Sequence, residues 1–191
     1  RDQPIAVWGT ADAGRKLSVT LGGHTVPGSA AAHGKWKIQL PPQPAGGPYT
    51  LTVTSGAQTV SRADILVGDV YLCSGQSNME FAQHQATNAI GATYAGRNET
   101  LRFLNVPKNS TAAPQDELKG PVEWKVVTPE TVGDASAVCY YMARSLQGSY
   151  KVPVGFVNAS WGGTTIQGWI GGESLRTLGD YKAGVAAVAQ F

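Results

Sequence analysis

The stretch Gly68-Asp-Val-Tyr-Leu-Cys-Ser-Gly-Gln-Ser-Asn-Met-Glu80 carries the strongest structural signal in this sequence. Its apolar run, residues 70–73, has the length and the β-branched and aromatic character of a buried strand, and Gly75 lets the backbone turn sharply at its end. From Asn78 onward the residues can begin a helix. A serine on such a turn lies at the mouth of an open sheet, where unpaired N–H groups could stabilise an oxyanion. Ser77 is therefore a candidate nucleophile for acyl transfer.

A lone Gly-X-Ser has a plainer interpretation as a turn or a helix cap, because motifs this short often match by chance. The stretch also differs from the G-x-S-x-G elbow of α/β-hydrolases, since Met79 stands where the second glycine should be. The context of the serine therefore has to decide between the two interpretations.

The longer string Gly-Gln-Ser-Asn-Met-Glu, residues 75–80, resembles the first conserved block of the SGNH hydrolase family. Within that family it is most similar to sialate O-acetylesterases and related carbohydrate acetylesterases. Three further segments follow the family's order and extend the resemblance over nearly the whole chain: Gly34 to Trp36, Gly46 to Tyr49, and Ser160-Trp-Gly-Gly-Thr164 with Trp169. The resemblance implies a serine esterase that removes O-acetyl groups from carbohydrates through an acetyl-enzyme.

The composition is that of a turn-rich globular protein: of 191 residues 42% are hydrophobic, 24 are glycine and 11 are proline. Charged residues make up only 15% with a net charge of +2, which disfavours nucleic acid as a partner. No apolar run approaches the ~20 residues of a membrane span. No Cys/His cluster has metal-ligand spacing, so we expect neither metal nor cofactor. Low charge and the resemblance favour a secreted or periplasmic enzyme whose leader is absent.

The two cysteines are expected to be buried and free. Cys73 belongs to the predicted strand before Ser77, and Cys139 belongs to an apolar helical pattern. Both fit the role of small hydrophobic residues that free cysteines often have. A disulfide between them is the alternative, which an oxidising compartment would allow but which spacing cannot establish.

Residues 1–66 are predicted to form a small antiparallel β-sandwich that serves as an accessory domain. Four runs, residues 5–8, 17–21, 36–40 and 49–53, alternate apolar with other residues between Gly and Pro turn signals. His24 and His33 are assigned to the solvated turns between these strands.

Residues 67–191 are predicted to be the N-terminal part of an esterase domain. Predicted strands at 70–73, 101–106 and 152–157 alternate with helical stretches, which implies a three-layer α/β/α parallel sheet that is incomplete in this chain. Residues 107–129 are predicted to be a long loop anchored by Trp124. A helix follows, capped by Asp134 or Ser136, and a last helix runs from 173 to about 189.

The glycine pair after the third strand is the candidate oxyanion hole. Gly162 and Gly163 let the backbone approach a ligand closely, although a tight strand-to-helix turn alone would explain them equally well. Both Ser77 and these glycines follow strands, so they belong at the same edge of the sheet. The resemblance implies that one glycine N–H acts beside that of Ser77, with Gly163 preferred and Gly162 second.

Other residues near the serine are candidates for substrate binding. The side chains of Gln76 and Asn78 could touch the sugar or brace neighbouring loops, with the bracing role favoured for Asn78. Trp169, with Trp161, could stack on a pyranose or pack in the core. Two acidic residues are expected to cap or brace the turn: Asp69 and Glu80.

None of the three histidines in the sequence makes a convincing general base for the serine, since His24 and His33 belong to the predicted β-domain. His84 would stand about 10 Å along a helix from Ser77, at ~1.5 Å per residue, which is too far for a base. The resemblance implies an Asp-x-x-His pair and an oxyanion Asn nearer the C-terminus, and neither block occurs before Phe191. We expect a C-terminal segment or second polypeptide to supply them, and this chain alone to be inactive.

Two functions remain open. An acetylesterase is favoured, with an acetylated carbohydrate as partner: sialic acid esters fit the resemblance best, and xylan or xyloglucan esters nearly as well. The alternative is a carbohydrate-binding module that keeps the fold without catalysis, which the absent histidine motivates.

Overall fold

A computed structural model of the chain describes residues 1–95, 97–111, 113 and 115–188. The chain divides into two compact units, Arg1–Asp69 with Lys151–Pro153 and Val70–Tyr150 with Val154–Phe191. The assignment of residues 1–66 and 67–191 to an accessory and an esterase domain stays a prediction.

The first unit consists of six antiparallel strands in two sheets. Strand β1 (Ile5–Thr10) pairs with β4 (Lys35–Leu40). The second sheet consists of β2 (Lys16–Leu21), β3 (His24–Ser29), β5 (Gly46–Ser55) and β6 (Gln58–Val67). The order of these strands in the sheet is β3-β2-β5-β6.

The core of the first unit follows from the alternation of β2. Leu17, Val19 and Leu21 all point inward and meet Ile38 and Leu40 of β4 in one cluster. Residues from both sheets therefore bury one shared apolar layer, as in the predicted sandwich.

Two strands of this unit, β3 and β6, were not predicted from the sequence. Strands β3 and β6 carry mostly exposed residues, so they lack the apolar alternation on which a strand prediction depends. Their backbones are ordered by pairing with β2 and β5. His24, which we assigned to a turn, is the first residue of β3, and it is exposed there.

The second unit is built on four strands: β7 (Asp69–Gly75), β8 (Asn98–Asn105), β9 (Lys125–Val127) and β10 (Val154–Ser160). They form one sheet with the order β7-β10-β8-β9. Strands β8 and β10 run parallel, with Leu101 opposite Val154, and β9 is antiparallel to β8. The prediction that residues 107–129 form a loop is therefore wrong in part, because β9 lies within this range. This strand is too short to show the alternation of apolar and polar residues that predicts a strand.

The helices of this unit are mostly short. They are α1 (Ser77–Glu80), α2 (Ala89–Tyr94), α3 (Ala137–Tyr150), α4 (Gly172–Arg176) and α5 (Lys182–Val188). Single 3₁₀ turns span Gln83–Gln85, Val132–Asp134, Ile166–Trp169 and Gly179–Tyr181.

The last predicted helix, residues 173 to about 189, is not continuous. Leu178 adopts extended backbone angles and ends the first helical segment, and a 3₁₀ turn precedes α5. Ala189, at the predicted end, lies outside the described residues. None of the helices in the described ranges has the length and apolar character that a membrane crossing needs.

The core of the second unit lies between the sheet and α3. The rings of Phe103 and Phe156 stack on adjacent strands with centroids 5.7 Å apart, and Tyr140 and Ala143 of α3 are buried in the same cluster. Ser136 begins α3 by accepting a hydrogen bond from Cys139 N–H at 3.3 Å, which decides the capping alternatives in its favour.

A disulfide joins Cys73 of β7 to Cys139 of α3, with the Cα atoms 6.4 Å apart. The favoured interpretation of two free thiols is therefore wrong. Both side chains are buried, as predicted, and they belong to the same apolar cluster between the sheet and α3. That packing, which spacing alone does not reveal, brings the two sulfurs together.

Candidate active site

Ser77 is the first residue of α1, directly after the turn that ends β7. Gly75 makes this turn with φ +143°, a conformation that other residues rarely adopt. The N–H groups of Met79 and Glu80 both bond to the Gln76 carbonyl, and Phe81 N–H bonds to the Ser77 carbonyl. These bonds hold the backbone of Ser77 while its side chain stays exposed to solvent.

Gln76 contacts the candidate nucleophile directly. Ser77 Oγ–H donates to Gln76 Oε1 at 3.1 Å, and Ser77 N–H points to the same oxygen at 3.4 Å. The side chain of Gln76 thus engages both Ser77 donors that acyl transfer would use.

The glycine turn after β10 lies beside Ser77. Trp161 N–H donates to the Gly75 carbonyl at 2.9 Å, which ties the ends of β7 and β10 together. A Cβ atom built on Gly162 would lie 3.6 Å from Ser77 Cβ. The two motifs that the sequence placed at one sheet edge are therefore neighbours.

Glu80 links this turn to the serine helix, a contact the sequence analysis anticipated only as bracing. Its Oε2 accepts a hydrogen bond from Gly162 N–H, and its Oε1 pairs with Lys108 Nζ. Lys108 and Gly162 N–H hold the pKa of the Glu80 carboxyl below its usual value, because both favour the ionised form. Asp69, the other predicted brace, pairs instead with Arg1 at 2.9 Å.

Gly163 has φ +79°, in the left-handed region, and a Cβ there would meet no atom within 4 Å. Among the residues described, no acceptor is found for its N–H, whereas the N–H of Gly162 is engaged by Glu80. Of the two predicted donors, Gly163 is the one whose amide is open to a ligand.

A cleft of about 420 Å³ opens beside Ser77. Its floor is a chain of polar side chains: Ser160 Oγ–H donates to Asn158 Oδ1 at 2.5 Å, and Asn158 Nδ2–H donates to Asn105 Oδ1 at 3.1 Å. Asn105 then donates to the Asp134 carbonyl at 2.9 Å. The lining consists of Ser77, Glu80, Phe81, Ala82, Gln85, Asn105, Val106, Lys108, Asp134, Asn158 and Ser160.

This polar floor was not predicted from the sequence. The available signal was that Asn105 and Asn158 stand at the carboxyl ends of two predicted strands, where α/β sheets bind their ligands. In the structure the two residues are in register as neighbours on β8 and β10. Lys108 gave no comparable signal, because it lies in a stretch we predicted to be a loop.

Trp169 lines a second, smaller cavity of about 270 Å³. Its Nε1–H donates to Thr164 Oγ1 at 2.8 Å, and Gln76 lines the same cavity. Trp161 is half-buried with Lys108 Nζ 5.9 Å from its ring centroid. Asn78 lies exposed on α1. The roles of Trp169, Gln76 and Asn78 in substrate binding stay predictions.

No histidine lines the Ser77 cleft among the described residues. His84 lies in a 3₁₀ turn, and its Nδ1 is 2.8 Å from the Gly133 carbonyl. His24 and His33 belong to strands and turns of the first unit. The described residues also contain no group of three or more His, Cys, Asp or Glu side chains that could hold a metal ion.

Comparison with known proteins identifies relatives of the chain. It is 32% identical to the sialate O-acetylesterases of Homo sapiens and Pongo abelii over 93% of its length, and it spans 37% of theirs. A carbohydrate acetylesterase from Xanthomonas citri has a crystal structure that matches with a TM-score of 0.89 at 40% identity, over 93% of this chain and 41% of that one. No family model matches the sequence. These likenesses confirm the predicted resemblance and the mixed α/β fold class.

Proposed function

We propose that this chain, which is homologous to part of the sialate O-acetylesterases and carbohydrate acetylesterases, is the nucleophile-bearing portion of a serine esterase. The esterase removes O-acetyl groups from carbohydrates. The observation that carries the proposal is the exposed hydroxyl of Ser77 on a strand-to-helix turn, with the glycine turn at Gly162 beside it. We assign residues 67–191 to the esterase domain and residues 1–66 to an accessory β-domain.

In the proposed reaction Ser77 Oγ attacks the carbonyl carbon of the acetyl ester. The hydroxyl proton passes to a histidine, which then protonates the sugar oxygen as the C–O bond breaks. The same histidine next takes a proton from water, which attacks the acetyl carbonyl carbon. The bond from this carbon to Ser77 Oγ then breaks, acetate leaves, and the histidine returns the proton to Ser77 Oγ. Gln76 has to yield the Ser77 hydroxyl to the histidine, since the two compete for one proton.

The oxyanion is assigned to the N–H groups of Gly163 and Ser77. Gly162 N–H is the weaker candidate because Glu80 already accepts from it. The Ser77 N–H bond to Gln76 is long, at 3.4 Å, so an oxyanion with better geometry can replace it. An oxyanion-hole donor typically contributes 10²- to 10³-fold, about 3 kcal/mol, to the rate.

The substrate is proposed to be an acetylated sugar that occupies the 420 Å³ cleft. The polar floor at Asn105 and Asn158 suits sugar hydroxyls, and Gln76, Asn78 and Trp169 are proposed to contact the rest of the sugar. Sialic acid esters and esters of xylan or xyloglucan remain the two candidate classes.

The histidine, its aspartate and an oxyanion asparagine are proposed to come from a further segment or second polypeptide. The chain spans just over a third of the relatives' length, which leaves room for such a segment. The sheet also carries exposed apolar side chains on β7, Val70 at 64% and Leu72 at 72%, which suit coverage by further chain. The Cys73–Cys139 disulfide supports a secreted or periplasmic location.

The test replaces Ser77 by alanine in the full-length protein that contains this chain. We expect Ser77→Ala to lower turnover of p-nitrophenyl acetate by about 10⁴-fold or more and to abolish labelling by a fluorophosphonate. Ser149→Ala, the same change on the exposed side of α3, is the control and should retain both. Unchanged turnover in Ser77→Ala would remove this serine from the mechanism.

A carbohydrate-binding module is the second candidate, favoured by the absence of histidine from the described cleft lining. It predicts that the full-length protein binds acetylated oligosaccharides in calorimetry but releases no acetate from them. Acetate release that depends on Ser77 would reject this candidate.

A further inference from the structure

Glu80 connects three parts of the site that are distant in sequence. It ends α1, three residues after Ser77, and its two carboxylate oxygens reach Gly162 after β10 and Lys108 after β8. The carboxylate therefore joins the nucleophile helix to the glycine turn through one side chain.

The Gly162 turn packs closely against both Glu80 and Ser77. A Cβ on Gly162 would lie 2.6 Å from Glu80 Oε2, inside contact distance, and 3.5 Å from Ser77 Cα. The hydrogen bond from Gly162 N–H to a charged carboxylate is of the stronger, charge-assisted kind. This bond directs the Gly162 amide toward Glu80 and fixes how closely the turn approaches Ser77.

Lys108 supports the same turn from a second side. Its ammonium pairs with Glu80 and lies 5.9 Å from the ring centroid of Trp161, the residue before Gly162. The pair therefore restrains Trp161 by a cation–π contact and Gly162 by a hydrogen bond.

We propose that Glu80, held by Lys108, is a positioning residue that orients the turn at residues 161–163 so that Gly163 N–H, and not Gly162 N–H, is presented to the substrate carbonyl at Ser77. This inference rests on the proposed esterase function. Glu80 takes no proton from Ser77 in this role, since Gly162 and Lys108 occupy its oxygens and keep it ionised.

The kinetic test compares Glu80→Gln with the wild type in the full-length protein, using p-nitrophenyl acetate. Glutamine keeps the shape of the side chain but loses the charge that binds Lys108. We expect kcat per fluorophosphonate-reactive serine to fall about 10-fold or more, less than the ~10²- to 10³-fold effect of an oxyanion donor. KM should stay within about twofold, as for an interaction made in the transition state. Counting reactive serines removes any contribution from misfolded protein.

Glu173→Gln is the matched control. Glu173 also forms an ion pair, with Arg176, and its side chain is 92% exposed on α4. Its replacement makes the same chemical change outside the cleft, so turnover should equal that of the wild type.

The structural readout is the amide proton of Gly162 in NMR spectra of ¹⁵N-labelled protein. It should lie far downfield at neutral pH and move upfield only at a pH below the ordinary pKa of a glutamate, because Lys108 and Gly162 N–H lower the pKa of the Glu80 carboxyl. Lys108→Met should raise the pH of that transition and lower kcat less than Glu80→Gln does. Asp134, the other acidic residue of the cleft lining, remains in both variants.

A Glu80→Gln enzyme with wild-type kcat per reactive serine, or a Gly162 resonance unmoved by this substitution, would overturn the inference. Either result leaves the proposed function intact provided that Ser77→Ala is inactive. Activity retained in Ser77→Ala would instead reject the proposed function itself.

Discussion

Gly163 adopts a backbone conformation that side chains disfavour, with φ +79° and no atom within 4 Å of a built Cβ. Gly163→Ala should therefore cause no clash, but the left-handed conformation costs it roughly 1–2 kcal/mol. Relaxation of this strain would rotate the amide away from the position proposed for the oxyanion. We expect kcat for p-nitrophenyl acetate to fall about 10- to 100-fold, less than the ~10²- to 10³-fold loss caused by removing an oxyanion donor outright.

Gly23→Ala separates strain from function in this experiment. Gly23 lies in the turn between β2 and β3 with φ +83°, and a Cβ there also meets nothing within 4 Å. Both alanines should lower the free energy of unfolding by similar amounts in urea titrations. Equal kcat values for the two variants would contradict the oxyanion role of Gly163.

Among individual residues, those whose position depends on local chain geometry could be predicted from the sequence. Ser77 follows a strand and a glycine, so its exposure on a turn could be inferred from its neighbours. The contact between Glu80 and Lys108 could not, because it depends on how the chain after β8 returns to α1. The Asn105–Asn158 pair was predictable only in part. The sequence predicted that each residue stands at the end of a strand, but not that the two strands are neighbours in the sheet.

Among the elements, β7 and α3 are tied by the Cys73–Cys139 disulfide across a separation of 66 residues. Closing a loop of that size restricts the unfolded chain, and native disulfides typically contribute about 2–4 kcal/mol. We expect the double substitution Cys73→Ala and Cys139→Ala to lower the free energy of unfolding by this amount. Urea denaturation followed by tryptophan fluorescence measures it.

Alkylation of the denatured, unreduced protein provides the independent check. With the disulfide intact, iodoacetamide should add no mass until dithiothreitol is supplied, and then label both cysteines. Two labels without reductant would mean that the thiols are free, and the double substitution should then cost only the lost packing of two small buried groups.

The elements that the sequence predicted are those with a buried face. Strands β2 and β10 and helix α3 bury alternating or helically spaced apolar residues, and each was expected. Strands β3 and β6 are largely exposed and depend on pairing with their neighbours, so periodicity could not reveal them. The break at Leu178 likewise depends on its extended backbone, which the apolar pattern does not encode.

For the whole molecule, the decisive feature is that the proposed nucleophile, Ser77, has no histidine beside it among the described cleft residues. The hydroxyl of Ser77 is a weak nucleophile at neutral pH unless a histidine takes its proton. Residues 1–191 produced alone should therefore hydrolyse p-nitrophenyl acetate about 10⁴-fold more slowly than the full-length protein, and no faster than their own Ser77→Ala variant.

The comparison is valid only if the isolated chain is folded, which circular dichroism and the intact Cys73–Cys139 disulfide would establish. Turnover equal to that of the full-length protein would place the base within residues 1–191. His84, the histidine of the same unit as Ser77, would then be the first candidate, and His84→Ala would have to abolish the activity. If His84→Ala instead leaves a slow isolated chain unchanged, while the full-length protein is fast, the proton acceptor lies in the remaining polypeptide.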